Sequence, residues 1–214
     1  MHAKGKILVE MYERLLRAVG PRHWWPGESP FEIIVGAILT QNTSWANVEK
    51  AIHNLREAGM LTPQGIRRAE RDELAQVIRP SGFYRLKAGR LQHFVDFFHD
   101  EFDADVDRMR SQDLGSLREK LLKVDGVGPE TADSIILYAL GKPIFVVDAY
   151  TKRVFSRHSV ITEQWRYEQV QEMVMGEMGR DAETYNEFHA LLVYAGKHWC
   201  RRVPRCDGCP LDGL

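Results

Sequence analysis

The 214-residue chain is expected to be all-α, on three observations. Apolar residues recur at helical spacing along most of its length, the turns between these segments are short, and only Pro143–Val147 has the look of a strand. Ile7, Met11, Leu15 and Val19 form the first stripe. At Ser29-Pro30-Phe31-Glu32, Ser29 can cap a helix, Pro30 suits its first turn, and Glu32 can close a capping box. Ile34, Val35, Ile38 and Leu39 then supply a buried stripe. A helix from Thr43 or Ser44 carries Val48, Ile52 and Leu55. Further helices are predicted at Arg71–Ile78, Tyr84–Phe102, Leu114–Val124, Pro129–Leu140, Ala149–Phe155, Trp165–Met178 and Ala182–Gly196, about ten in all. The β-branched run Pro143–Val147 reads equally well as a buried extended loop.

Hydrophobic residues make up 44% of the chain and charged residues 28%, a globular composition. The net charge of −1 means that any surface for a polyanion must be local and balanced by acids elsewhere. No apolar run reaches membrane-spanning length, and Glu10 and Glu13 interrupt what would be the apolar core of a signal peptide. A cytosolic location is therefore expected, where disulfides are rare and the three cysteines need another account.

Two places carry candidate chemistry. In Val124-Asp125-Gly126-Val127-Gly128-Pro129-Glu130-Thr131-Ala132, two glycines allow a tight turn with uncovered backbone N–H groups, and Pro129 sits where a helix would start. A helix N-terminus after glycines suits a phosphate, although a plain helix-helix connection reads the same way. Asp148 follows Ile144-Phe145-Val146-Val147 and precedes a helical stretch. It is either a simple N-cap or an ionised carboxylate held at an apolar wall, and one residue can be both.

Gly126-Val127-Gly128 with Thr131-Ala132, followed by Val146-Val147-Asp148, resembles the helix-hairpin-helix and Gly/Pro-Asp motif of the endonuclease III superfamily. Ala37-Ile38-Leu39-Thr40-Gln41-Asn42 resembles its early helix and intercalating loop, Ser81-Gly82-Phe83-Tyr84 with Lys87-Ala88 its mid-chain turn, and Cys200, Cys206 and Cys209 its C-terminal cluster loop. The resemblance implies two helical lobes with a central cleft, one from residues 23–135 and the other from residues 1–22 with 136–214. It implies a hairpin gripping double-stranded DNA that contains a damaged base, through Gly126, Val127, Gly128 and Thr131, with a monovalent cation on the hairpin carbonyls. Asp148 would be the essential carboxylate facing the cleft, Gln41 the wedge that fills the gap left by a flipped base, and the enzyme a monomer.

Family members that also cut the strand carry a lysine just after the hairpin, whose amine forms a Schiff base. Here Glu130 stands at that place, so a monofunctional glycosylase is expected, with water as nucleophile. Glu130 is either a base-pocket residue or an ordinary acid in a first helical turn. Trp24-Trp25-Pro26, Leu39-Thr40-Gln41-Asn42-Thr43 with Trp45, Arg79-Pro80-Ser81-Gly82-Phe83-Tyr84, and Gly128 with Glu130 and Ala132-Asp133 are similar to the 3-methyladenine DNA glycosylases of endonuclease III type. That similarity implies a base pocket of Trp24, Trp25, Pro26 and Trp45, with Trp45 where the known pocket has phenylalanine. Otherwise these tryptophans are core and loop anchors. A positively charged alkylated purine leaves without protonation, which suits a pocket with no evident general acid.

Lys197, Arg201, Arg202 and Arg205, and the stretch Arg85, Lys87 and Arg90, are either solvated faces or phosphate contacts. In Cys200-x5-Cys206-x2-Cys209 the family's fourth cluster cysteine would fall one position past Leu214, and the first gap is one residue shorter than the commonest form. A [4Fe–4S] cluster has three of its four expected ligands, and zinc with His198 is the other option. Two further functions stay open: a monofunctional glycosylase for damaged or mismatched pyrimidines, and a non-catalytic helix-hairpin-helix DNA-binding protein.

Overall fold

The computed structural model describes residues 3–214, which are helical or irregular, with no strand among them. They divide into two compact units, one holding residues up to Trp24 together with Pro143–Leu214, the other Trp25–Lys142. Helix α1 (Ala3–Val19) opens the first unit and buries Leu8, Met11 and Leu15.

The second unit holds α2 (Pro30–Leu39), α3 (Trp45–Glu57), α4 (Pro63–Arg68), α5 (Arg71–Val77), α6 (Tyr84–Phe102), α7 (Val106–Ser111), α8 (Leu114–Leu122) and α9 (Pro129–Ser134). Helix α2 is its buried centre, with every residue from Ile34 to Leu39 inside. At roughly 1.5–3 kcal/mol per buried large aliphatic side chain, this short helix is held by packing and not by its length. Ser29 caps it by accepting from the Glu32 N–H at 3.2 Å. The Glu32 side chain does not close the box onto Ser29. It accepts from the Glu28 N–H at 3.4 Å and pairs with Arg56 at 2.9 Å. Along α6, Phe94, Phe98 and Phe102 form a buried row, and Phe31 of α2 stacks on Phe98 at 6.2 Å.

Three departures from the sequence expectation have physical reasons. Helices α4 and α7 are six residues each, too short to show a stripe, and form because Thr62 and Asp105 cap them. The helix expected over Pro129–Leu140 stops at Ser134 and continues as a π turn over Ile135–Ala139. Insertions of this kind leave the apolar pattern nearly unchanged.

Pro143–Val147 pairs with no strand and is a buried extended segment leading into α10 (Ala149–Arg157). Its backbone groups find partners on α11 (Tyr167–Glu177). Gln171 Nε2 donates to the Phe145 carbonyl at 2.6 Å, and the Val147 N–H donates to the Tyr167 hydroxyl at 3.3 Å. Helix α12 (Ala182–His198) completes this unit and packs on α1 and α10. Among the described residues no helix is long and apolar enough to cross a membrane.

Candidate active site

In the second unit the loop Lys123–Gly128 joins α8 to α9. Gly126 has φ +84°, a region that L side chains avoid, while Gly128 is the extended N-cap of α9 with φ −89°. A buried, two-pronged ion pair braces the hairpin: Arg118 of α8 meets Asp133 of α9 at 2.7 and 3.1 Å, and Asp133 is fully buried. Val127 is buried, while Gly128 and the side chains of Lys123 and Asp125 are exposed.

Gln41 lies on this hairpin. Its Nε2 donates to the Gly126 carbonyl at 3.0 Å and to the Thr131 hydroxyl at 2.9 Å, and its Oε1 accepts from Arg90. These residues line an open groove of about 600 Å³ with Asn42, Lys123 and Val124. Gln41, Gly126, Val127, Gly128 and Thr131 are thus brought together. Lys87 is not on this surface, against the expectation of a basic face. It is fully buried, and its Nζ donates to Leu39 O at 2.9 Å and Ser81 O at 2.6 Å. Burial, and then the nearby Arg90 charge, push this amine down to about 8. The ammonium thereby ties the end of α2, just before Gln41, to the turn before Phe83. Phe83 is 66% exposed with φ +46°, and an aromatic held out in a strained turn is a functional signal that the sequence showed only as Gly82-Phe83.

Behind α2, Trp25 meets Trp45 edge-on, with ring centroids 5.1 Å apart at 89°, and Tyr138 at 5.1 Å and 52°. Gly36 makes room: a Cβ there would lie 3.2 Å from Trp25 Nε1. The indole N–H of Trp45 donates to Glu49 Oε1 at 2.7 Å. Tyr138 comes from the π turn and had no sequence motif to mark it. Pro26 is exposed, and Trp24 is half-buried and belongs to the other unit. Glu130 is exposed in the first turn of α9.

In the first unit Asp148 is the N-cap of α10, its Oδ1 accepting from the Thr151 N–H at 2.7 Å. Its Oδ2 lies 3.6 Å from Nε2 of His189 on α12, and the two side chains are only 12% and 8% exposed. Burial pushes the Asp148 carboxyl up. The His189 ring and the Thr151 N–H pull it further down, so it sits below the ordinary carboxylate value and is ionised at neutral pH. The cap and the held charge are one residue.

Lys197 and Arg201 are exposed, as are Arg202 and Arg205. Cys200, Cys206 and Cys209 line one cavity of about 100 Å³ with Arg157 and His158. Cys200 is buried and accepts from Arg157 Nη1 at 3.2 Å, and burial pushes the Cys209 thiol up. Among the described residues no three Cys, His, Asp or Glu side chains are gathered to hold a metal ion. His198 stacks on Tyr194 at 3.8 Å with its Nδ1 2.8 Å from the Tyr194 carbonyl, away from that cavity.

The model of the HhH-GPD superfamily of base excision DNA repair proteins matches residues 35–178. The Methanocaldococcus jannaschii protein provisionally named DNA repair glycosylase MJ1434 is 45% identical over 97% of this chain and 95% of its own length. The Bacillus subtilis endonuclease III is 27% identical, over 87% of this chain and 80% of its own. Among solved structures, the Helicobacter pylori 3-methyladenine DNA glycosylase MagIII bound to 1,N6-ethenoadenine is similar with TM-score 0.77 at 30% identity, covering 91% of this chain and 97% of that one. An endonuclease III trapped covalently on DNA gives TM-score 0.83 at 26% identity, covering 99% and 94%. With the hairpin, the loop that docks on it and the buried aspartate in place, the chain belongs to the HhH-GPD superfamily and is a DNA glycosylase of base excision repair.

Proposed function

We propose that the chain excises alkylated purines such as 3-methyladenine from duplex DNA, hydrolysing the glycosidic bond without cutting the strand. The aromatic cluster of Trp25, Trp45 and Tyr138 is the observation that carries the substrate class. A base stacked on such rings gains about 1–3 kcal/mol, and a cationic base a further ~0.5–2 kcal/mol. Similarity to a 3-methyladenine glycosylase seen with a modified adenine supports the same reading.

The hairpin and the exposed Lys197 and Arg201 hold the phosphates, and Gln41 enters the stack in place of the flipped nucleotide. Carbonyl oxygens of Val124 and Gly126 each accept one hydrogen bond, from Val127 and Gln41, leaving a second lone pair for a monovalent cation. When the glycosidic bond breaks, its electron pair leaves with the base, which departs neutral if it was cationic. The positive charge left on the sugar is stabilised by ionised Asp148, which accepts a proton from the water that adds to the anomeric carbon. Glu130, a carboxylate where strand-cutting relatives use an amine, supports the absence of a Schiff base.

The test is a panel of duplexes carrying 3-methyladenine, thymine glycol, G·T and G·U. Release of the alkylated purine is expected, abolished by Asp148→Asn with DNA binding kept. Release of pyrimidines alone would overturn the substrate class, and binding without any release would leave a DNA-binding protein only.

A further inference from the structure

We infer that His189 is a positioning residue for the reaction, fixing the Asp148 carboxylate and keeping it ionised from a second helix. The inference rests on Asp148 being the essential carboxylate.

The two oxygens of Asp148 have separate duties. Oδ1 is committed to the N-terminus of α10 through Thr151, which sets the carboxylate plane. Oδ2 is turned toward α12, where His189 Nε2 lies 3.6 Å away. The His189 ring is itself held, edge-on to Phe145 with centroids 6.4 Å apart, and is 6% exposed. The surroundings are otherwise apolar: Phe145, Val146 and Val147 are buried on the approach, and Phe188 adjoins His189.

Other polar groups packed here are engaged elsewhere. On α10, Lys152 Nζ donates to the Trp165 carbonyl, and Arg153 donates to the carbonyls of Cys200 and Gly196. On α11, the Tyr167 hydroxyl meets the Val147 N–H and Gln171 the Phe145 carbonyl. On α12, His189 is the ionisable group whose charge acts on Asp148. A carboxylate in an apolar wall drifts toward its neutral form, which cannot stabilise a cationic sugar. Thr151 acts on it from its own helix, and His189 supplies the electrostatic partner from a second one.

Three proteins test this: wild type, His189→Phe, which keeps ring packing beside Phe145 and Phe188, and His189→Gln, which keeps a polar donor without a charge. The first readout needs no turnover. In protein labelled with ¹³C at aspartate carboxyls, the Asp148 resonance is identified by its loss in Asp148→Asn and followed through an acid titration. Its midpoint is expected to rise by about one pH unit or more in both variants, the differential interaction of a nearby charge. The second readout is the single-turnover rate of base release on methylated duplex DNA against pH. The acid limb should move up in step, with the neutral plateau falling at least about tenfold in His189→Phe and less in His189→Gln, and Kd for an abasic duplex unchanged. A wild-type midpoint and limb in both variants would overturn the inference. Base release that survives Asp148→Asn would sink the role of Asp148 instead, and the titration still reports whether His189 governs its charge.

Discussion

Replacing Gly126 by alanine should damage the protein far more than the same change at Gly128, although the sequence presents the two as equivalent. At Gly126 a Cβ must sit at φ +84° and closer than 3.0 Å to Cγ, Cδ and Nε of Arg90. The left-handed conformation costs an L residue about 1–2 kcal/mol. The Arg90 stem cannot yield without drawing its guanidinium off Gln41, and a hydrogen bond to a charged group contributes about 1.5–3 kcal/mol. Together these give about 2.5–5 kcal/mol. Gly128 has φ −89° and nothing within 4 Å of the added Cβ, so alanine there costs only about 0.5–1 kcal/mol as a poorer cap. Urea denaturation measures both. With a slope of about 2 kcal/mol per molar, Gly126→Ala should lower the midpoint by more than 1 M, while Gly128→Ala stays closer to wild type. If the two variants unfold together, or Gly126→Ala loses less than about 1 kcal/mol, the account of Arg90 lodged against that glycine is wrong. In Gly128→Ala, the milder change, weaker DNA binding would report that a phosphate backbone approaches the open face at that position.

Glu49→Gln should slow release of cationic 3-methyladenine about two- to fivefold while sparing neutral hypoxanthine, because the carboxylate on the Trp45 N–H enriches that ring; equal effects on both bases would refute this. Borohydride reduction during turnover should trap no covalent enzyme–DNA adduct, whereas efficient trapping on gels would show that an amine attacks the sugar despite Glu130. Lys87 is held at about 8, below its ordinary 10.5, so the native state binds fewer protons than the unfolded chain between those values. Stability from this group therefore rises with pH across about 8–10.5, and the advantage of wild type over Lys87→Met in denaturation should widen there by about 1–3 kcal/mol. A difference that is flat or narrows would mean the amine is not desolvated as described.

What could be read in the sequence was whatever repeats over several turns or carries a fixed spacing. Tyr84–Phe102 matches its predicted bounds because Phe94, Phe98 and Phe102 give nineteen residues a clear stripe. Asp148 announced itself as a cap and as a charge at an apolar wall, and it is both. Lys87 misled because its neighbours in sequence, Arg85 and Arg90, suggest a basic face, while helical geometry turns it inward with Ala88 and Leu91. His189 and Tyr138 were silent for another reason. A single histidine in α12 and a single tyrosine in a π turn gain meaning only from partners far away in the chain, and no local pattern encodes that. The cysteine loop was legible as a motif, and its three thiols line one cavity, which the spacing alone does not show.

Helix α10 is nine residues long, a rod of about 13 Å. Asp148 caps one end of it. From the far half, Arg153 donates to Cys200 O and Gly196 O, and Arg157 to Cys200 Sγ, Arg201 O and Arg202 O. The basic loop is thus hung from the same helix whose other tip is Asp148, the carboxylate proposed for the chemistry. A bound phosphate, an oxidised thiol or a substitution at Arg201 that displaces the loop acts on the same helix that Asp148 caps. A slower enzyme after a change in that loop therefore does not by itself locate a contact with the base, and the Asp148 titration distinguishes leverage from touch.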